Sequence, residues 1–332
     1  MKIVIFECEK WEMDDISKNF SAHDLYFETE PANAALAKKH ADADIIYCFV
    51  FSDLSEATLQ HFDQLKCITT RSTGFDHIGT DYCKENNIAV CNVPEYGSIT
   101  VAEHVFALLL AVSRKIPEAS NRTRRGDFSQ NGLEGFDLCG KVMGFVGTGN
   151  IGKHAMRIAK GFGMQVLAYD IQPDHDFAAQ HDIQFCDLDT LLAQSDIISL
   201  HVPENKHTHH MIDEAAFDKM KEGVVIINTA RGTIMSVKAL INAIATGKVA
   251  GAGLDVLPEE PVIREEAELL RSFFTKEHDL ETLLADHILL HLRNVVITPH
   301  SGFKTKEAVM RILQTSIGNI HAFMNNIPRN QV

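Results

Sequence analysis

The sequence lacks several features that would set it apart from ordinary globular proteins. Its longest apolar run, Val105–Val112, is too short to cross a bilayer and predicts a buried helix instead. The amino terminus has no signal-peptide pattern, because Met1–Phe6 runs directly into Glu7 and predicts a first core strand. Internal repeats and low-complexity tracts are also missing. With 45% hydrophobic and 23% charged residues, the composition predicts a soluble globular protein.

Disulfide, metal and nucleic-acid signals are weak as well. The seven cysteines include no Cys-x-x-Cys pair and are odd in number, which predicts reduced thiols in a cytoplasmic protein. A formal net charge of −14 argues against a nucleic-acid partner, and the cluster Arg122–Arg125 is better explained as a solvated helix face or an interface. No carboxylate or cysteine completes a ligand set for the four histidines within residues 201–210, so no metal is predicted.

The most informative segment is Gly144–Gly152, a Gly-x-Gly-x-x-Gly pattern between a strand and a helix. Gly147 permits the tight turn, and Gly149 lets the backbone approach a pyrophosphate. Gly152 allows the new helix to pack closely on the strand. Because the helix N-terminus then faces the anion, the segment predicts a dinucleotide site.

An acidic residue supports that interpretation. The apolar segment Gln165–Tyr169 predicts a second strand that ends at Asp170, 18 residues beyond Gly152. A carboxylate near this distance accepts hydrogen bonds from the adenosine ribose and repels a 2′-phosphate, which favours NAD over NADP. The alternative is a structural turn followed by a surface acid.

Short apolar strands alternate with helical segments on both sides of the glycine loop, which predicts an α/β fold. The strands predicted are Lys2–Phe6, Asp44–Phe49, Cys67–Thr70, Ile88–Asn92, Val142–Val146, Gln165–Tyr169, Asp196–Val202, Val224–Thr229, Gly251–Val256 and Val295–Thr298. Helices are predicted at Val101–Ile116 and Thr305–Phe323.

This order predicts two doubly wound domains of the Rossmann or flavodoxin type with a cleft between them. Residues 1–100 and 300–332 are predicted to form a discontinuous substrate domain, and residues 101–299 an NAD-binding Rossmann domain. Residues 262–293 form an insertion with a helical pattern and no evident chemistry.

Polar residues at three strand ends suit hydride transfer to a 2-keto acid. Arg231 follows a buried strand and offers a guanidinium that matches a carboxylate with two hydrogen bonds. Asp255 ends another strand and can hold the nicotinamide carboxamide, and Glu260 follows five residues later. His300 comes after a strand and Pro299, and histidine exchanges protons near neutral pH. If Glu260 contacts His300, its charge stabilises the imidazolium form.

Each of these residues also has a structural interpretation, since an arginine after a strand can cap a helix and a histidine can be a satisfied core residue. Their order after a nucleotide loop makes the catalytic set Arg231, Glu260 and His300 the more specific hypothesis.

These motifs resemble the D-isomer-specific 2-hydroxyacid dehydrogenase family over nearly the whole chain, and within it the fermentative D-lactate dehydrogenases. The segments that carry the resemblance are Thr70–Ile78, Val93–Tyr96, Val101–His104, Asn121–Arg124, Gly144–Gly152 and Ser195–Pro203. The resemblance implies reversible reduction of pyruvate to D-lactate by NADH in a homo-oligomer, a dimer or a dimer of dimers.

The resemblance also assigns residue roles. Arg231 binds the substrate carboxylate, Glu260 orients His300, and His300 is the acid/base. The backbone of Thr73 and Gly74 and the side chain of Tyr96 face the substrate, although Tyr96 can also be a turn tyrosine that packs on its own domain. The remaining residues implied to line the NAD site are Asn150, Ile151, Asp170, Val202, Pro203, Thr229, Ala230 and Asp255.

Two departures from the lactate-type pattern leave the substrate open. Gly97 and Ser98 follow Tyr96 where a proline is usual, and Asp255–Pro261 ends in Glu-Glu-Pro, as in the glycerate and phosphoglycerate branches. A hydroxypyruvate/glycerate dehydrogenase, or another D-2-hydroxyacid dehydrogenase, is therefore an alternative. A second alternative is an NAD-sensing protein like the C-terminal-binding-protein corepressors. A formate dehydrogenase is not expected, because formate dehydrogenases generally lack a glutamate at the position of Glu260.

Overall fold

The computed structural model describes residues 1–258 and 287–332. They divide into two units, Met1–Tyr96 with Thr305–Val332, and Gly97–Lys304. The second unit extends to Lys304, so that His300 belongs to the same unit as the glycine loop. Glu260 and most of the predicted insertion lie outside the described residues. Within the described part of the chain, no helix combines the length and apolar character needed to span a membrane.

The first unit is built on a five-stranded parallel sheet with the spatial order β2-β1-β3-β4-β5. Its strands are β1 (Lys2–Ile5), β2 (Asp24–Phe27), β3 (Ile45–Cys48), β4 (Cys67–Thr70) and β5 (Ala89–Cys91). The helices that follow its first four strands are α1 (Lys10–Asn19), α2 (Ala34–Lys39), α3 (Glu56–Leu59) and α4 (Thr80–Glu85). Strands β3 and β4 are buried along their whole length, as expected for parallel strands covered on both faces.

The second unit contains a seven-stranded parallel sheet with the order β12-β11-β10-β9-β6-β7-β8. Its strands are β6 (Val142–Val146), β7 (Gln165–Tyr169), β8 (Gln184–Phe185), β9 (Ile197–Leu200), β10 (Val224–Asn228), β11 (Val249–Leu254) and β12 (Val295–Ile297). The strand order reverses between β6 and β9. Ligands of open α/β sheets bind outside the carboxyl ends of the strands at such a reversal.

Helices cover both faces of this sheet over two separate apolar clusters. They are α5 (Ser98–Ser113), α7 (Asn150–Gly161), α8 (His175–His181), α9 (Leu188–Gln194), α10 (Glu214–Lys219) and α11 (Val237–Ala245). Helix α6 (Ile116–Arg124) follows α5 and has no buried residue. Helix α5 packs against α7 and β11. The last helix, α12 (Lys306–Met324), returns the chain to the first unit, where it packs on β4 and α1. The predicted α/β class with parallel sheets is confirmed.

The main differences from the sequence prediction are two strands and both ends of one long helix. Strands β2 and β8 were not predicted, because both are short edge strands with exposed positions and so carry no continuous apolar run. The helix predicted over Val101–Ile116 begins at Ser98 and ends at Ser113. Lys115 then adopts a left-handed φ of 50°, and α6 starts with a proline in its first turn.

Candidate active site

The glycine loop connects β6 to α7 at the point where the strand order reverses. Gly147 has a φ of 97°, and a Cβ atom there would lie 2.8–2.9 Å from the backbone of His201 and Val202. A Cβ at Gly152 would lie 2.5 Å from the carbonyl oxygen of Gly147. Both contacts are shorter than side-chain carbons tolerate, so the turn, the helix and the neighbouring loop require glycine here.

Gly149 differs from the other two glycines because the space that a side chain would occupy is open. A Cβ added to Gly149 would meet no atom of the described residues within 4 Å, and its φ of −64° suits any residue. The next residues, Asn150 and Ile151, form the first turn of α7, which contains no acidic side chain. The first amides of a helix have no acceptors within the helix itself. Open space before a helix N-terminus fits the diphosphate of a dinucleotide.

Replacing Gly149 by alanine therefore tests the loop without disturbing its packing. We expect Gly149→Ala to weaken NADH binding by about tenfold or more, because overpacking a tight contact costs about 1–3 kcal/mol. The free energy of unfolding should change by less than about 0.5 kcal/mol. NADH fluorescence titration and chemical denaturation measure the two quantities.

Two further glycines of the same helix serve as controls. Gly152→Ala should lower the free energy of unfolding, since its Cβ meets backbone at 2.5 Å. Gly161→Ala, which meets no described atom within 4 Å, should leave both stability and NADH affinity intact. Unchanged NADH affinity in Gly149→Ala would remove Gly149 from the nucleotide site.

Asp170 follows β7 and lies beside the glycine loop. Its Oδ2 atom accepts hydrogen bonds from the amide and the hydroxyl of Thr148 at 2.6 and 2.9 Å, and Oδ1 accepts one from the amide of Gln172 at 2.9 Å. Partial burial raises the pKa of Asp170, but these hydrogen bonds outweigh it, and the net shift lowers the pKa. The loop therefore has a fixed negative charge beside it at neutral pH.

The loop after β10 presents Arg231. Buried Asn228 shapes this loop, because its side chain accepts a hydrogen bond from the amide of Ala230 at 3.0 Å and donates one to the carbonyl of Arg231 at 2.9 Å. Arg231 Nη1 donates to the carbonyl of Ala230 at 2.8 Å. Gly232 packs directly on the loop after β11, where a Cβ would lie 2.2 Å from the carbonyl carbon of Leu257. The backbone that carries Arg231 is thus held from two sides.

Arg231 and His300 line the same cavity. Its volume is about 120 Å³, and its lining residues are Glu204, Arg231, Gly232, Thr233, Val256, Leu257, Pro258 and His300. The structure therefore brings together two of the three predicted catalytic residues, whereas Glu260 lies outside the described residues. A guanidinium, which is able to bind a carboxylate, and an imidazole, which is able to transfer a proton, therefore line one small volume.

His300 sits in an unusual backbone conformation. Its φ is 50°, in the left-handed region that residues other than glycine seldom adopt. Its amide donates to the carbonyl of Thr298 at 2.9 Å, and its ring makes an edge contact with Phe303 at a centroid distance of 6.5 Å. Strained positions of this kind persist where surrounding contacts hold them, often at functional sites.

Asp255 provides such contacts. Its Oδ1 atom accepts hydrogen bonds from Thr298 Oγ1 at 2.5 Å and from the amide of Ser301 at 2.9 Å, and Oδ2 accepts one from the amide of Gly302 at 2.8 Å. Burial raises the pKa of Asp255, but hydrogen bonds from His104, Thr298 and the turn amides outweigh it and lower the pKa. This carboxylate holds the turn around His300, and its predicted contact with the nicotinamide stays a prediction.

Other residues predicted for the nucleotide lie on neighbouring loops of the second unit. Val202 and Pro203 follow β9, and the Pro203 carbonyl accepts a hydrogen bond from Thr208 Oγ1 at 2.6 Å. Thr229 follows β10, and its buried hydroxyl has no hydrogen-bond partner among residues 1–258 and 287–332. A buried hydroxyl in that state is available to a ligand.

The residues predicted to face the substrate in the first unit lie after β4 and β5. Thr73 is fixed by hydrogen bonds from its hydroxyl to the carbonyl of Val93 and from Asn92 Nδ2 to its own carbonyl, both at 2.8 Å. The carbonyl of Gly74 accepts from Ser72 Oγ at 2.6 Å, and that of Tyr96 accepts from Arg311 Nε at 2.7 Å. Their roles toward a substrate stay predictions.

Glu204 and His104 were missed by the sequence prediction. Glu204 lines the cavity beside Arg231, and its Oε1 atom is 4.0 Å from His209 Nδ1. Its position directly after Val202 and Pro203, at a strand end, was the available signal. His104 lies within an apolar helix, where periodicity indicates only packing. Among the described residues, no group of three or more His, Cys, Asp or Glu side chains is placed to bind a metal ion.

Comparison with known proteins gives consistent similarities. A family model described as "D-isomer specific 2-hydroxyacid dehydrogenase, NAD binding domain" matches residues 106–302. The D-lactate dehydrogenase of Escherichia coli (strain K12) is 34% identical, over 96% of this chain and 96% of that protein. The glyoxylate reductase of Thermococcus litoralis is also 34% identical, over 91% of this chain and 87% of that protein.

A solved structure agrees with these sequence similarities. D-lactate dehydrogenase from Aquifex aeolicus, complexed with NAD and lactic acid, has a TM-score of 0.88 at 34% sequence identity, covering 98% of this chain and 96% of that one. The predicted Rossmann-like α/β fold and NAD as the cofactor are thereby confirmed.

Proposed function

The chain belongs to the D-isomer specific 2-hydroxyacid dehydrogenase family, and we propose that it is an NAD-dependent D-lactate dehydrogenase that reversibly reduces pyruvate to D-lactate. The shared cavity of Arg231 and His300 is the main support for this assignment. Reduction of a short 2-keto acid needs a carboxylate anchor and a proton donor within reach of the same substrate, and both side chains line this small cavity. The similar proteins from Escherichia coli and Aquifex aeolicus are D-lactate dehydrogenases.

Arg231 binds the substrate carboxylate in this proposal. Its guanidinium offers two parallel donors that match the two carboxylate oxygens, which fixes the orientation of the carbonyl group as well as its position. The loop that carries it is tied by Asn228 and packed against Leu257, so the donors are oriented before the substrate arrives. Such preorganisation lowers the entropy lost on binding.

His300 is the proposed acid/base. NADH supplies the hydride that reduces the carbonyl carbon. His300 donates a proton to the ketone oxygen in reduction and accepts it from the hydroxyl in the reverse direction. Glu260, which lies outside the described residues, is proposed to orient His300 on the basis of the family resemblance alone. The backbone of Thr73 and Gly74 and the side chain of Tyr96 are proposed to complete substrate binding.

The cofactor site is proposed to comprise the loops at the carboxyl ends of the strands around the reversal in strand order. Its proposed residues are Gly147, Gly149, Asn150, Ile151, Gly152, Asp170, Val202, Pro203, Thr229, Ala230 and Asp255. Asp170 would accept hydrogen bonds from ribose hydroxyls, and its charge would repel a 2′-phosphate.

Asp170 allows a direct test of cofactor preference. We expect Asp170→Ala to weaken NADH binding by roughly 10- to 100-fold, since hydrogen bonds to charged groups contribute about 1.5–3 kcal/mol. The preference for NADH over NADPH should narrow, as measured by kcat/KM for both cofactors. Asp170→Asn keeps an acceptor for Thr148 and so isolates the charge, and Asp176→Ala, an exposed position on α8, is the control. An unaltered cofactor ratio would refute the assignment.

The substrate is tested by following NADH oxidation at 340 nm with pyruvate, hydroxypyruvate and 2-ketobutyrate in parallel. Turnover led by pyruvate would support the lactate assignment. A preference for hydroxypyruvate would move the protein to the glycerate branch, which the Glu259-Glu260-Pro261 sequence and the similarity to a glyoxylate reductase favour. Tight NADH binding without turnover of any 2-keto acid would instead indicate a sensor of the corepressor type.

Two broader properties belong to the same proposal. We place the protein in the cytoplasm, which the seven free cysteines support, since five of them are buried thiols. We also propose a homo-oligomer assembled through the NAD-binding domain, on the family resemblance. Light scattering after size-exclusion chromatography measures the oligomer, and a monomeric mass at micromolar concentration would contradict it.

A further inference from the structure

Helix α5 carries a histidine that reaches the turn around His300. His104 lies in the second turn of α5, with its Nε2 atom 2.9 Å from Thr298 Oγ1 and 3.4 Å from Asp255 Oδ1. Its side chain is only 20% exposed. None of the roles proposed above for the reaction uses this imidazole.

The hydrogen on His104 Nε2 follows from a count of donors. Thr298 has one hydroxyl hydrogen, which it donates to Asp255 Oδ1 at 2.5 Å. Thr298 Oγ1 is then left as an acceptor toward His104, and an ionised carboxylate can only accept. His104 Nε2 must therefore carry a hydrogen and donate it to these acceptors.

Asp255, one of these acceptors, also holds the turn of His300. The amides of Ser301 and Gly302 donate to the two oxygens of Asp255 at 2.9 and 2.8 Å. The His104 ring also contacts this turn, since a Cβ at Gly302 would lie 3.0 Å from His104 Cδ2 and 2.7 Å from Asp255 Oδ2. Ring, carboxylate and turn form one packed group in which His300 has its left-handed φ of 50°.

We propose that His104 is a positioning residue for the reaction, acting through Thr298 and Asp255 to hold the turn that orients His300. The inference rests on the proposed role of His300 as acid/base. Without the imidazole donor, Thr298 Oγ1 loses the hydrogen bond that it accepts, and Asp255 Oδ1 loses a polar neighbour at 3.4 Å, so both side chains rotate more freely. The turn amides are then held less tightly, and His300 spends less time where it can transfer its proton.

Three variants test this positioning role. His104→Leu removes the donor, His104→Gln keeps an N–H donor on a side chain of similar reach, and Glu103→Gln is an exposed control on the same helix. For each we would measure kcat and KM for pyruvate, the dissociation constant of NADH, and hydrogen–deuterium exchange over residues 296–304 without cofactor.

We expect His104→Leu to lower kcat by about 10- to 100-fold, because small displacements of a catalytic group have effects of that size. KM for pyruvate should stay within about twofold, since Arg231, the proposed carboxylate anchor, lies on a different loop. NADH affinity should fall by a smaller factor than kcat, since Asp255, which His104 holds, also belongs to the proposed cofactor site. Exchange in the turn should rise by about fivefold or more. His104→Gln should recover most of the lost kcat and the slow exchange, and Glu103→Gln should match the wild type.

Two results would overturn the inference. One is a His104→Leu variant with wild-type kcat and wild-type exchange in the turn. The other is an equal loss of kcat in the Leu and Gln variants, which would assign the effect to packing of the ring rather than to its N–H donor. If the wild type reduces no 2-keto acid, the proposed function fails, whereas the exchange measurements still decide whether His104 holds the turn.

Discussion

His300→Asn is expected to lower kcat for pyruvate reduction by about 10²–10⁴-fold, the contribution of a positioned general acid. Asparagine is the informative replacement because it tolerates the left-handed conformation that His300 adopts, with a φ of 50°. It therefore keeps the turn while removing the group that transfers the proton. His300→Ala should lower kcat at least as far, with the added strain of alanine in a left-handed conformation.

The measurement is steady-state kinetics with NADH and pyruvate, together with NADH binding in the absence of substrate. NADH affinity should stay within about threefold, since no contact predicted for the cofactor depends on the imidazole. An exposed histidine of the same unit, His207, provides the control through His207→Asn, which should keep wild-type kinetics. An unchanged kcat in both His300 variants would contradict the role of acid/base assigned to this residue.

Arg231→Ala is expected to show the second large effect, a fall in kcat/KM for pyruvate of roughly 10²–10³-fold. Truncating one partner of a desolvated charge pair costs about 2–5 kcal/mol. Both constants should change, with KM raised because the carboxylate loses its anchor and kcat lowered because the carbonyl loses its orientation. Arg231→Lys keeps the charge but not the planar pair of donors. Its kcat/KM should therefore lie between the values for Arg231→Ala and the wild type.

Exposed Arg125 supplies the matched control, and Arg125→Lys should behave as wild type. The size of the effect should also depend on the substrate carboxylate, so a 2-keto acid amide should be reduced about equally slowly by wild type and Arg231→Ala. Pyruvate kinetics in Arg231→Ala equal to those of the wild type would contradict the assignment, and carboxylate binding would have to be sought elsewhere.

The buried parallel strands were predictable because each is a short apolar run between turn signals. Strands such as Ile45–Cys48 and Val224–Asn228 are fully buried, and covered parallel strands need apolar side chains on both faces. The edge strands Asp24–Phe27 and Gln184–Phe185 do not carry that pattern. Their pairing depends on the backbone of the neighbouring strand, which a local pattern does not reveal.

Helix ends were predicted less well than helix positions. The helix over Ser98–Ser113 was recognised from its apolar spacing, but its end was placed at Ile116. Lys115 breaks the helix in a left-handed conformation, a role that glycine or asparagine more often fills. The chain offered no such residue as a signal at this point.

Arg231 and His300 could be found from the sequence, since each follows a buried strand and the carboxyl ends of parallel strands share one edge of the sheet. Strand direction alone brings such residues near one another, and the structure places both on one cavity. Glu204, which lines the same cavity, was recognisable only from its position after a strand. The role of Glu260 stays a prediction.

The sequence alone determined the α/β class, the glycine loop and the polar residues at the strand ends. Each of these features is encoded within a short segment, by hydrophobic periodicity or by turn residues. The contact between His104 and Thr298 joins residues 194 positions apart. Whether a helix side chain reaches a particular turn depends on how the helix crosses the sheet and on its rotation about its own axis. Packing of the whole unit sets both quantities, and apolar spacing identifies only the face that is buried.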